Sequence, residues 1–138
     1  MVVELLQEKD RQAVCSLLKQ CFPSTKLQED FNCKKIDFTH NMVIVAKIEN
    51  NIVGHIWIQK QYDFYKDEYY FYLMYICVDE KYRHQGIATF MLKWVETLKE
   101  KQHISYITFT SSKKRVAAQS LYRKLGYVEK DSSVFIKM

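Results

Sequence analysis

The chain has 138 residues, 48% apolar and 27% charged, which suits one domain (1–138) with a sizeable core and excludes wholesale disorder. No apolar run of about eighteen residues occurs, so no transmembrane helix and no membrane association is expected, and the opening MVVELLQEKDRQ does not read as a signal peptide. The net charge of +5 is unevenly placed: residues 1–110 hold 14 charges of each sign, while residues 111–138 hold seven basic residues (Lys113, Lys114, Arg115, Arg123, Lys124, Lys130, Lys137) against Glu129 and Asp131. Such a patch suits an anionic partner, although on charge alone a solvated surface is the simpler reading.

Met1 to Leu5 can form a short strand. In 8–22, Val14, Leu17, Leu18 and Cys21 recur as one face of a helix that Pro23 would close. Ser24 and Thr25 offer N-caps for a short helix near 26–32, with Gln28 at the capping-box position. Residues 42–48 and 52–61 read as two strands joined by a turn at Glu49-Asn50-Asn51. In the long strand 68–78, strict alternation puts Tyr70, Tyr72, Met74, Ile76 and Val78 on one face and Phe71, Leu73, Tyr75 and Cys77 on the other. Both faces are apolar, so this strand is expected to be central and covered on both sides.

A polar loop, 79–85, precedes a helix carrying Ile87, Phe90, Met91, Trp94, Val95 and Leu98 as its apolar stripe. The short β-rich run 104–110 should lie parallel to 68–78, because a strand–helix–strand crossover connects them. A second helix over 115–125 ends at Gly126, and short strands near 127–130 and 133–138 finish the chain. The expected order is βααβββαβαββ, a mixed α/β sheet with helices on both faces.

Cys15, Cys21, Cys33 and Cys77 form no C-x-x-C pair and read as reduced thiols of a cytoplasmic protein. His40, His55, His84 and His103 show no metal-ligand spacing, so no metal is expected.

The informative stretch runs from Val78 to Thr89. The first turn of a helix carries unpaired N–H groups and a partial positive charge, and can therefore hold phosphate oxygens. Gly86 and Ala88 are small enough for close approach of a ligand, and Arg83 adds a fixed positive charge. Arg83-His84-Gln85-Gly86-Ile87-Ala88 resembles the Q/R-x-x-G-x-G/A signature of the GNAT superfamily of N-acetyltransferases. Downstream, Ala118-Gln119-Ser120-Leu121-Tyr122-Arg123-Lys124-Leu125-Gly126-Tyr127 is similar to that family's A-x-x-L-Y-x-K-x-G-F helix. The spacing of the two motifs and the order of elements also match, so the resemblance covers essentially the whole chain.

The resemblance implies a sheet split into a V after the fourth strand, with acetyl-CoA in the opening. Ile76, Cys77 and Val78 would then line its pantetheine arm. The N–H groups of Gln85, Gly86, Ile87, Ala88 and Thr89 would hold its pyrophosphate, with Arg83 and His84 in the same loop. Many relatives carry Asn seven residues before the helix tyrosine, where this chain has Arg115, which could reach a phosphate instead. By the same resemblance, Tyr122 protonates the departing thiolate.

An alkyl ammonium has a pKa of about 10, so its nitrogen needs a base or a desolvating pocket before it can attack a thioester. The sequence does not single out that base among Glu29, Asp30, Asp63, Asp67 and Glu68. Cys77 beside a thioester invites an acyl-enzyme reading, but no histidine is placed in sequence to activate it, and a core thiol is the commoner fate. The aromatics at 62–75 read as ordinary strand composition, those near 62–65 also suiting an acceptor pocket or a homodimer contact. The expected activity is acetyl transfer from acetyl-CoA to an amine of a small molecule or peptide. A non-catalytic acyl-CoA sensor on the same fold is the alternative, and a nucleic-acid partner is not expected.

Overall fold

The computed structural model describes residues 1–138. Five strands form one sheet in the order β1 to β5: Val2–Leu5, Asn41–Ile48, Asn51–Asp63, Glu68–Val78 and Tyr106–Thr108. The first four are antiparallel neighbours, and β5 runs parallel to β4. Three helices accompany them: α1 (Arg11–Cys21), α2 (Ile87–Lys101) and α3 (Val116–Lys124). This is the expected mixed α/β architecture.

The sheet is covered on both faces. Ile44 and Ala46 of β2, Ile56 and Ile58 of β3, and Phe71 and Leu73 of β4 meet Ile87, Met91, Leu92 and Val95 of α2 in the main core. Each of these side chains larger than alanine, fully removed from water, contributes about 1.5–3 kcal/mol. Val43 and Val45 point to the opposite face, where Val14, Cys15 and Leu17 of α1 are buried. The stripe expected on α2 is thus shifted: Leu92 is buried, whereas Phe90 is 45% exposed.

The alternation expected along β4 fails at one residue. His55 pairs with Cys77 and Trp57 with Met74, so Tyr75 and Ile76 stand opposite Ile56 alone. This is a β-bulge, and Tyr75 adopts a left-handed φ of 52° to make it. Parity switches there, which places Ile76 and Val78 in the same core as Phe71 and Leu73 and turns Cys77 to the other face.

Two further expectations are corrected. Residues 26–32 form turns, not a helix: Thr25 Oγ1 accepts from Leu27 N at 3.3 Å, a local bond that competes with a helical start. The strands expected near 127–130 and 133–138 are absent. Tyr127 N is tied back to Tyr122 O (3.0 Å) and Glu129 to Arg123 (2.8 Å), which holds the first segment against α3. β5, only three residues long, gives the second little edge to join. Gly126, at φ 94°, follows the end of α3 as expected.

Candidate active site

β5 pairs with β4 only at Tyr70–Tyr72. Beyond that point the chain leaves β4 through Phe109 toward α3, and the edge of β4 from Leu73 to Val78 faces no strand. The sheet therefore opens into a V, as the motifs imply. A cavity of about 600 Å³ fills the opening. Ile76, Cys77, Val78, Arg83, His84, Gly86, Ile87, Ala88, Thr89, Arg115 and Tyr122 all line it, and of the residues expected there only Gln85 does not.

The loop into α2 is shaped by two left-handed residues, His84 (φ 62°) and Gly86 (φ 81°). The first helical bond runs from Phe90 N to Gly86 O at 2.9 Å. The N–H groups of Gln85, Gly86, Ile87, Ala88 and Thr89 consequently donate to no protein acceptor. A Cβ added to Gly86 would meet no atom within 4 Å, so the space above this turn is open. Four of these donors, on Gly86, Ile87, Ala88 and Thr89, belong to residues that line the cavity at the positive end of a 15-residue helix, which suits the diphosphate of a coenzyme A.

Tyr122 sits on α3 with 8% exposure, its ring edge-on to Phe109 at 4.8 Å. Burial raises its phenol above the ordinary range, so it keeps its proton at neutral pH. No protein group accepts from its hydroxyl, which is open to the cavity.

Arg83 is folded onto the strand end, with Nε donating to Val78 O at 3.1 Å and Nη2 lying 3.8 Å from Cys21 Sγ. Arg115 covers the ring of Phe22 at 5.3 Å. Sequence reasoning missed Cys21, because the last turn of α1 comes to β4 only through tertiary packing. Its thiol is lowered to about 6, chiefly by the neighbouring Cys77 thiol and further by Arg83 and Arg115, with burial opposing. Cys77, 3% exposed, is pushed up by the neighbouring Cys21 and by burial, which leaves it a protonated thiol.

A second cavity, about 770 Å³, lies on the α1 face of the same bulge. Val14 and Leu18 of α1, Phe22 just after it, Val43, His55 and Trp57 of the sheet, and the 24–36 segment enclose it, with Tyr75 at the bulge. Tyr75 stacks on Trp57 at 6.3 Å and meets Phe22 edge-on at 5.3 Å. Because Tyr75 walls this cavity and Ile76 and Cys77 wall the first, the two abut at the bulge. Of the candidate bases, Asp30 lines this cavity and Glu29 does not. Glu68, paired with Asp63 at the far end of β4, is seven residues from the bulge, roughly 23 Å along a strand, and Asp67 is farther still. No group of three His, Cys, Asp or Glu side chains that could hold a metal is present, and no helix is long and apolar enough to cross a membrane.

The Acetyltransferase (GNAT) family model matches residues 11–127. Solved structures with the same fold include the ribosomal-protein-alanine N-acetyltransferase of Brucella melitensis biovar Abortus 2308, at 18% identity and TM-score 0.84, covering 99% of this chain and 98% of that one. The glucosamine-6-phosphate N-acetyltransferase of Arabidopsis thaliana superposes with TM-score 0.84 at 14% identity, covering 99% and 97%. An aminoglycoside acetyltransferase from an uncultured soil metagenomic sample does so with TM-score 0.84 at 18% identity, covering 99% and 94%. The comparison with curated proteins gives no match. A match over residues 11–127, with the split sheet and both motifs in place, makes this chain a member of the GNAT acetyltransferase family.

Proposed function

We propose that the chain is an acetyl-CoA-dependent N-acetyltransferase that acetylates a primary amine of a small molecule or peptide by direct attack in a ternary complex. The observation that carries this reading is the run of five unpartnered amides, Gln85 to Thr89, at the mouth of the opened sheet. Nitrogen as the acceptor atom is supported by the structural neighbours named as N-acetyltransferases. The four free cysteines fit a reducing compartment such as the cytoplasm.

When bound, acetyl-CoA supplies an electrophilic acyl carbon and a thiolate leaving group. The amides of 85–89 anchor the diphosphate, and the free edge of β4 at Ile76–Val78 lines the pantetheine arm. Tyr122, protonated and open to the cavity, delivers a proton to the leaving sulfur. The apolar second cavity removes water from the incoming amine.

The test is a pair of measurements on wild type and Tyr122→Phe: calorimetric affinity for acetyl-CoA, and free-thiol release with a panel of amines. Tyr122→Phe is expected to lose about 100-fold or more in kcat, the usual size of a general-acid contribution, with affinity nearly unchanged. Equal turnover in the two proteins would remove Tyr122 from the reaction. Tight acetyl-CoA binding without turnover of any amine would favour a non-catalytic acyl-CoA sensor.

A further inference from the structure

His55 is one of three buried polar side chains, 4% exposed. It lies on β3 opposite Cys77, beside the bulge. Its Nδ1 is 2.8 Å from the carbonyl oxygen of Tyr75. A carbonyl can only accept, so Nδ1 carries the hydrogen and the bond fixes the tautomer. Nε2 must then hold a lone pair. It has no protein partner, yet it is not sealed in the interior, and His55 lines the second cavity. The imidazole thus presents an acceptor nitrogen to an apolar cavity walled by Tyr75, the residue before the Ile76 and Cys77 of the cofactor opening.

We propose that His55 Nε2 is the general base of this enzyme, taking the proton from the acceptor's ammonium. This rests on the acetyl-transfer reading given above. The ammonium loses one proton to Nε2, and the freed lone pair forms the C–N bond to the acyl carbon. The C–S bond breaks, and the sulfur takes the proton of Tyr122, whose phenolate recovers one from the new nitrogen. The imidazolium then releases its proton to solvent, so the products are amide, free thiol and one proton.

The surroundings suit the role. Burial lowers the His55 pKa, opposed only by the bond to Tyr75, so the ring is neutral and able to accept at pH 7. The other ionisable groups lining the cavity are Lys26, Asp30 and Lys35 of the 24–36 segment and the phenol of Tyr75. Cys77 is the cross-strand neighbour, with Cys21 behind it. α1 and β2 contribute only apolar side chains to this wall. Asp30 is the sole carboxylate there, and it sits on the segment across the cavity from the bulge.

The experiment compares wild type, His55→Gln and Asp30→Asn. Gln can keep the bond to Tyr75 O while offering no basic nitrogen. Free-thiol release is followed against pH with 2-phenylethylamine, n-butylamine and alanyl-glycine, and ¹⁵N-histidine spectra report the tautomer without any substrate. The expected result is an Nδ1–H ring titrating below 6.5 and a wild-type kcat that falls as pH drops through that same value. In His55→Gln, kcat is reduced about 100-fold or more, that acid limb is gone, and acetyl-CoA affinity is kept. Asp30→Asn should retain the limb. An Nε2–H tautomer, or His55→Gln with wild-type kcat and pH profile, overturns the assignment while leaving acetyl transfer standing. Failure of the wild type to turn over any of the amines overturns the acetyl-transfer reading and the base together.

Discussion

Asp10, Lys47 and His55 are polar residues buried from solvent, and each has a distinct physical reason. Lys47 Nζ lies 3.1 Å from both Asp10 Oδ1 and Glu4 Oε2, which ties β2 to β1 and to the 3-10 turn Glu8–Asp10. Burial alone would lower its pKa, but the two carboxylates outweigh it and the net shift is upward. The ammonium is therefore fully charged below its ordinary 10.5, and its contribution is lost only as pH rises through the higher folded value. Lys47→Met should destabilise the fold by about 3–5 kcal/mol in urea melts, because Asp10 is left buried beside a lost partner. The double change Lys47→Met with Asp10→Leu should recover most of that loss. A single variant as stable as wild type would show that the network contributes nothing. Tyr122 and the 83–89 loop were legible in the sequence because motif spacing reports them directly. The positions of His55 and Cys21 beside Cys77 were not, since a bulge and a packed helix end bring them there, and neither leaves a local pattern.

The loop joining β4 to α2 is the element on which the proposed site depends. Gly86 is left-handed at its tightest point, with empty space where a side chain would project. Gly86→Ala should cost about 1–2 kcal/mol of stability from backbone conformation alone, without any clash. It should weaken coenzyme A binding by a larger factor, because the methyl group would project into the open space beside the 86–89 turn. Calorimetry set beside thermal melts separates the two effects, and an unchanged affinity would place the diphosphate elsewhere. Elements of strong period were readable: α1, α2 and the hairpin of β2 and β3, whose turn residues Glu49 and Asn50 have φ of 51° and 66° as a tight two-residue connection requires. Weak local signals misled. Thr25 with Gln28 mimics a capping box, yet no apolar stripe follows it. Val134, Phe135 and Ile136 read as a strand, yet they are 78%, 93% and 81% exposed with no edge to pair with. Alternation along β4 broke at Tyr75 because one extra residue in the ladder reverses every later side chain.

At the scale of the molecule, the sheet is closed on its β1–β3 side and open between β4 and β5. Two cavities meet at that opening, one flanked by donor amides and Arg83, the other lined by aromatics. The +5 charge belongs to this picture: Lys114 and Arg115, part of the basic excess of the last 28 residues, line the first cavity. A ligand binding only the folded protein at a hundred times its Kd adds about 2.7 kcal/mol, which in a chain of this size raises Tm by roughly 10 °C. The most direct test is an amide ¹H–¹⁵N titration of the ¹⁵N-labelled chain with coenzyme A. The resonances of Gln85, Gly86, Ile87, Ala88 and Thr89 are expected to move together, saturably and further than any others. Binding that leaves these five unmoved, or no binding at millimolar coenzyme A, would contradict the proposed site.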